Sequence, residues 1–204
     1  MTKPGDFFVG IIDLFAIFLP GGAISSALYY SYYDDVLFNV DLSFSSSQYW
    51  VMFLFSSYLL GHIVFMFGSS LDSIYDMHRR YRNPYTNESA FQCASKIKKI
   101  FLSDNEAASV NTFQWAVSIL TVNYPDAIAE INRLAADSKF FRSLVVIIPL
   151  FSLMLWFENM HQLSLIMLLF IIPCYLRYYD RRLKSTTRAY QYIVTFHGLG
   201  MLKP

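Results

Sequence analysis

The chain has 204 residues, of which 55% are hydrophobic, 18% aromatic and only 15% charged, with a mean hydropathy of +0.36 and a net charge of +1. A soluble domain carries about a quarter of its residues as charges, so this balance excludes an ordinary water-soluble fold and points to lipid.

Four apolar stretches follow one another, at 7–29, 49–71, 144–157 and 163–176. A helix crosses the hydrocarbon with about 20 apolar residues, and the first two stretches meet that length. The other two are extended by aromatic flanks, Phe140 and Phe141 before the third and Tyr178 and Tyr179 after the fourth, at interfacial depth. The polar residues Glu158, Asn159, His161 and Gln162, with Met160 among them, separate these two, which therefore read as a tight hairpin. The first stretch lacks the cationic start and small-residue cleavage site of a signal peptide, so it reads as a retained span.

Within that first stretch, Asp13 lies seven residues before Pro20-Gly21-Gly22. An acid inside a membrane helix costs about 3 kcal/mol on insertion scales and marks an ion path or relay, unless it is hydrated near the inner end of the helix. Pro20, Gly21 and Gly22 predict a kink near mid-span, which makes this helix a pore or gate element. In the second stretch Ser57 and Gly61 form a small-xxx-small face for close helix approach, either within the bundle or along a pore. His62 reads as a protonation switch or pore group, or as a hydrogen-bonding partner across helices.

The second helix keeps helical spacing past Leu71 through Asp72, Asp76, Arg79, Arg80 and Arg82, and Asn83-Pro84 stops it. Asp72 and Asp76 are spaced to pair with Arg79 and Arg80. Asn87 is the expected N-cap of a helix that carries Lys96, Lys98 and Lys99 in its last turns, where cations suit the macrodipole. Ser103-Asp104-Asn105 opens a further helix expected to run through Val110, Phe113, Val117 and Leu120. Pro125 is then a first helical position with Asp126 behind it, and the pattern continues through Lys139 and Arg142 directly into the third span as one long helix. After the fourth span, Arg177, Arg181, Arg182, Lys184 and Arg188 share a basic, tyrosine-rich tail that reads as interfacial or packed beneath the bundle.

Lys and Arg set the orientation. The segments 72–142 and 177–204 hold 15 Lys and Arg against nine Asp and Glu, whereas the two outward loops carry four acids and no base. Under the positive-inside rule both termini and the middle segment are expected to be cytoplasmic. Cys93 and Cys174 then sit in or near a reducing compartment, which argues against a disulfide or metal cluster. The expected fold is all-α, a polytopic membrane protein with four transmembrane helices and a helical cytoplasmic insert. Residues 1–71 form an N-terminal transmembrane hairpin with an outward loop at 30–48, and 72–142 the cytoplasmic segment. Residues 143–178 form the C-terminal hairpin, and 179–204 the basic tail. An insert of about 70 residues is marginal as an independent core, so packing against the bundle or against copies of itself is expected, in a homo-oligomer.

No phosphate loop, HExxH pair or nucleophile elbow accompanies His62, Asp72, Asp76 and His78, so no enzyme, metal or cofactor is expected. The basic inner face attracts anionic lipid head groups. Arg79, Arg80, Arg82, Lys96, Lys98, Lys99, Arg142, Arg181 and Arg182, interleaved with aromatics, also suit a nucleotide or single-stranded DNA, or a cytoplasmic protein partner.

The segment 115–142, with Asn123-Tyr124-Pro125-Asp126 and Ala136-Asp137-Ser138-Lys139-Phe140-Phe141-Arg142-Ser143-Leu144, resembles small bacterial membrane proteins, as do Gly61-His62 and Arg181-Arg182-Leu183-Lys184-Ser185-Thr186-Thr187-Arg188-Ala189-Tyr190. The layout of four membrane helices around a helical insert resembles anti-phage membrane effectors, the channel-forming effector of the Hailong system first and the membrane subunit of the Kiwa system second. The first resemblance implies a homo-oligomeric ion channel whose cytoplasmic crown binds a DNA oligomer that holds the pore shut. The leading expectation is therefore an oligomeric channel or pore-forming effector gated from the cytoplasm. The alternative is a non-conducting membrane sensor or scaffold.

Overall fold

A computed structural model describes residues 16–30, 46–82, 84 and 88–202. These form helices and no strand: α1 (Ala16–Tyr30), α2 (Ser46–Ser69), α3 (Leu71–Arg82), α4 (Ser89–Phe101), α5 (Asp104–Ser109), α6 (Thr112–Asn123), α7 (Pro125–Phe157), α8 (His161–Leu169) and α9 (Ile171–Gly198). Three helical stretches are long and apolar enough to cross a membrane, Ser47–Arg82, Pro125–Phe157 and His161–Gly198, and α1 is a shorter apolar helix. The chain divides into two compact units, one drawn from 1–72 and 136–178, the other from 73–135 and 179–204.

The first unit is built on close backbone approach. A Cβ added to Gly21 would lie 1.8 Å from the carbonyl oxygen of Ser57, and one on Gly61 would lie 2.1 Å from that of Ile17. The two glycines thus let α1 and α2 touch through their main chains, and Ser57 beside them is fully buried, its hydroxyl donating to Phe53 O at 2.6 Å. Pro20 has no N–H to return to Ala16 O four residues back. Ser143 of α7, also fully buried, donates its hydroxyl to that carbonyl at 3.2 Å. The expected mid-helix opening is therefore closed by protein, and helical structure continues through residues 20–22.

Serines also hold the α7–α8 hairpin. Ser152 Oγ donates to Ser164 O at 2.9 Å and Ser164 Oγ to Ser152 O at 2.8 Å, both buried. The turn between these helices places Asn159 at φ 60°, with Met160 N donating to Leu155 O at 2.9 Å. Asparagine tolerates this left-handed position, and the bond closes the end of α7. Pro173 in the first turn of α9 cannot return a hydrogen bond to Leu169, which accounts for the break between α8 and α9.

The second unit has a conventional apolar core, formed by Ala94, Ile97, Trp115, Ala116, Leu120, Ile128, Ile131, Tyr190 and Ile193 with smaller neighbours. α7 starts at Pro125 with Asp126 in its first turn and runs without interruption to Phe157, as the sequence predicts. The single helix expected from Ser103 through Leu120 is instead two. Ser103 and Glu106 make a capping box for α5, and Asn111 then starts α6 by accepting from Phe113 N at 2.8 Å. An asparagine side chain that caps the following turn competes with helix continuation. Asn87, the expected cap of α4, lies outside the described residues, and the N-cap position is Glu88.

Adding one methyl group separates the two glycines at the α1–α2 contact from Gly22 beside them. Gly21→Ala and Gly61→Ala force a backbone apart and should each cost about 3 kcal/mol, the upper end for overpacking. Gly22→Ala meets only ordinary contacts, the nearest Ser57 Oγ at 3.7 Å, and should melt within a few degrees of wild type in detergent. Equal melting temperatures for all three variants would refute the contact.

Candidate functional site

Two polar clusters stand out, one in each unit. In the second, Tyr75 and Arg79 lie one turn apart on α3 and are both fully buried. A buried guanidinium needs its donors met by partners inside the protein, and a carboxylate suits it best. Arg79 donates to Tyr75 Oη at 3.0 Å, to Thr186 Oγ1 of α9 at 2.9 Å and to Glu88 Oε2 at 2.8 Å. The other oxygen of Glu88 accepts from Thr187 Oγ1 at 2.6 Å. The Arg182 guanidinium lies 4.7 Å over the Tyr75 ring, so α3, α9 and the lead into α4 are joined about one buried charge.

In the first unit, Arg142 of α7 donates to Asp72 Oδ2 at 2.9 Å while Tyr178 of α9 donates to Asp72 Oδ1 at 2.7 Å. Arg142 is buried and lies 4.4 Å over the Phe65 ring. A Cβ at Gly68 would sit 3.3 Å from its Nε, so the glycine makes room for the side chain. These partners of Asp72 lie far away in sequence and are not the Arg79 or Arg80 expected from the spacing along its own helix. Asp76 is exposed.

The basic residues read as a ligand surface therefore separate into two groups. Arg79, Lys98 and Arg142 are buried and committed to internal partners, whereas Arg80, Arg82, Lys96 and Lys99 are exposed and Arg181 and Arg182 half-buried. Lys98 Nζ donates to Val110 O at 2.9 Å and Thr112 Oγ1 at 3.1 Å, which ties α4 to the break between α5 and α6. Burial first, and the charge of Lys99 second, hold its ammonium below the usual lysine range.

The pore candidates separate in the same way. Pro20, Gly21, Ser57 and Gly61 are buried where α1 meets α2, with Gly22 half-buried beside them. His62 is exposed on α2, edge-on to Tyr58 at 4.5 Å between ring centres. Asp13 lies outside the described residues. Among the described residues no group of three or more His, Cys, Asp or Glu is arranged to hold a metal ion. Tyr75, Glu88, Thr186, Thr187 and Tyr178 complete the two clusters, and the sequence marks none of them as a partner of a buried charge. The four-residue spacing of Tyr75 and Arg79 is the available signal, and the surrounding Arg79-Arg80-Tyr81-Arg82 run masks it as a solvated basic patch.

The class defined is an all-helical protein with three helical stretches suited to crossing a membrane and a charged cluster in each unit. Comparison with known protein families, curated proteins and solved structures finds no match.

Removing the buried guanidinium leaves Glu88, Thr186 and Tyr75 without it, so Arg79→Met should lower unfolding stability by about 3–5 kcal/mol. Arg80→Met, at an exposed neighbour, should stay within about 0.5 kcal/mol of wild type in the same denaturant titration. Lys98 supplies a pH test. Because its folded pKa is below the unfolded 10.5, the unfolded chain holds more protons in the window beneath that value, and stability rises with pH there. Subtracting the denaturation midpoints of Lys98→Met from those of wild type across that window should isolate this rise, and a flat difference would refute it.

Proposed function

We propose that this chain is a homo-oligomeric channel of the bacterial inner membrane, gated from the cytoplasm. Four helices span the bilayer in this reading, with α1 as part of the first, and the second unit and both termini are cytoplasmic. The observation that carries the reading is the outward-facing His62. Between Tyr49 and Leu71 the helix advances about 33 Å, and His62 falls about 20 Å from the first and about 14 Å from the second, near the middle of the span. An imidazole in hydrocarbon leaves a donor and an acceptor without water, at a cost of several kcal/mol. Most other large side chains facing outward here, Phe55, Leu59, Ile63 and Met66 among them, are apolar, and the nearest exception is Tyr58 one turn away. A water-filled path at an assembly of several copies relieves that cost, as does a polar group on a neighbouring copy.

The positive-inside charge distribution supports the orientation. The exposed cations Arg80, Arg82, Lys96 and Lys99 supply the surface for a cytoplasmic anionic ligand. The resemblance to anti-phage effectors makes that ligand a nucleotide or single-stranded DNA and makes defence the setting. The buried cluster of Arg79 is the internal scaffold behind that surface.

Purified protein in planar bilayers should give unitary currents across the voltage range, and single-stranded oligonucleotide added to the cytoplasmic side should close them. His62→Leu should change the unitary conductance while leaving particle mass unaltered. Silent bilayers under every one of these conditions, from a preparation that is folded by circular dichroism, would overturn the channel reading.

A further inference from the structure

Between Tyr58 and Ser69 the exposed positions of α2 fall into two sets, one polar and one apolar. At about 100° per residue, Tyr58, His62 and Ser69 lie within about 40° of one another, whereas Leu59, Ile63, Met66 and Phe67 lie about 80–180° round from Tyr58. The polar set is thus a narrow stripe about 16 Å long, roughly half the thickness of the hydrocarbon. All of it belongs to one helix of the first unit. Tyr58 and His62 meet edge-on at 4.5 Å between ring centres, and the Ser69 hydroxyl donates to Met66 O at 2.6 Å.

Lipid cannot serve such a stripe. A phenol and an imidazole in hydrocarbon leave donors and acceptors unmet, and polar side chains within a span turn to protein or water. One hydrogen bond to a neighbouring copy would meet one of these groups, whereas a continuous wetted surface meets all three. We infer that this stripe lines a water-filled path in the assembly, and that a proton taken up by His62 makes the path draw anions. The inference rests on the channel reading above and deepens it, from a path to the class of ion the path favours.

The wall is otherwise poor in charge. α2 holds no Asp, Glu, Lys or Arg between Ser46 and Ser69. Nor does α1, which packs on α2 at Gly61 and whose titratable side chains are Tyr29 and Tyr30 in its last turn. From α7, Lys139 and Arg142 come within 6.0 and 4.4 Å of the centre of the Phe65 ring, and Arg142 is paired with Asp72. Around His62 the titratable and charged groups are therefore Tyr58 on one side and this Lys139, Arg142 and Asp72 set on the side of Ser69. Imidazole is the side chain that takes up a proton between about pH 5 and pH 8. Each copy then adds one positive charge at the same level of the path, which attracts anions and repels cations.

Thiol labelling in proteoliposomes tests both halves, on the full chain with Cys93→Ser and Cys174→Ser. Tyr58→Cys, His62→Cys and Ser69→Cys should react with charged, membrane-impermeant methanethiosulfonates at least about tenfold faster than Leu59→Cys, Ile63→Cys and Phe67→Cys, because a thiol facing hydrocarbon forms no thiolate. At Tyr58→Cys and Ser69→Cys, the ratio of rates with an anionic and a cationic reagent should rise at least about fivefold from about pH 8 to about pH 5.5, and adding His62→Gln should abolish the rise. The thiolate fraction cancels in that ratio. In bilayers under a KCl gradient, the reversal potential should move toward the chloride potential over the same pH change and stay fixed in His62→Gln. Equal labelling on both sides of the helix, or a ratio indifferent to pH, would overturn the inference. So would labelling at none of the six positions, which would give the stripe to a dry contact with a neighbouring copy. Stripe labelling with the pH-dependent ratio but silent bilayers would sink conduction and keep the wetted stripe. Currents with a reversal potential indifferent to pH would keep the channel and sink the role of His62.

Discussion

A carbonyl that has lost its helical donor must find another, and in an apolar helix bundle water is not at hand to supply it. Pro20 creates such a carbonyl at Ala16, and the hydroxyl of Ser143 meets it. Other serines of the first unit also donate to main-chain carbonyls. Ser152 and Ser164 satisfy each other across the α7–α8 hairpin, Ser57 returns its proton to Phe53 O, and Ser69 and Ser70 bond back to Met66 O and Phe67 O where α2 gives way to α3. Glycine contributes the other half of the arrangement, since α1 and α2 meet through the main chains of Gly21, Ser57, Gly61 and Ile17.

That division of labour reflects solvent. Among lipid tails no hydrophobic drive brings two apolar helices together, so close van der Waals approach and interhelical hydrogen bonds must do it. The first unit is composed accordingly, with small residues at its contacts and large apolar ones facing out. The second unit is arranged as a water-soluble core is, with Trp115, Leu120, Ile131, Tyr190 and Ile193 inside. Its buried cation fits the same picture. Arg79 is shut away only because Glu88, Thr186 and Tyr75 surround it, and such a cluster fixes the relation of α3 to α9 more specifically than apolar packing would.

The helices themselves are readable in the sequence wherever the local chemistry decides them. Pro125 and Asp126 start α7, apolar continuity carries it past Lys139 and Arg142, and Glu158 with Asn159 turns it back. What the sequence conceals is partnership. Small-xxx-small spacing at Ser57 and Gly61 announces close approach, but leaves open that the helix approaching is α1, through Gly21 and Ile17. Asp72 sits within reach of basic residues on its own helix, yet it is claimed by Arg142 and Tyr178, 70 and 106 residues away. Basic runs are equally ambiguous. Of Lys96, Lys98 and Lys99, the buried one is chosen by the helix phase set by Ala94 and Ile97, and of Arg79, Arg80 and Arg82 by the phase of Tyr75. The break at Asn111 escapes notice because an apolar period of 3.6 runs on through it.

The Asp72 cluster is the point from which to reason about coupling. Its three residues come from α3, α7 and α9, the helices that contribute residues to both compact units, so it ties them together within the first unit. Arg142 is held on three sides, by the carboxylate, by the Phe65 ring and by the room that Gly68 leaves. A guanidinium gripped this way cannot exchange partners without exposing a charge at the edge of an apolar unit, which costs several kcal/mol. The cluster is therefore a fixed point of the first unit, whereas the outward flank of α2 that bears His62 presents mainly exposed side chains.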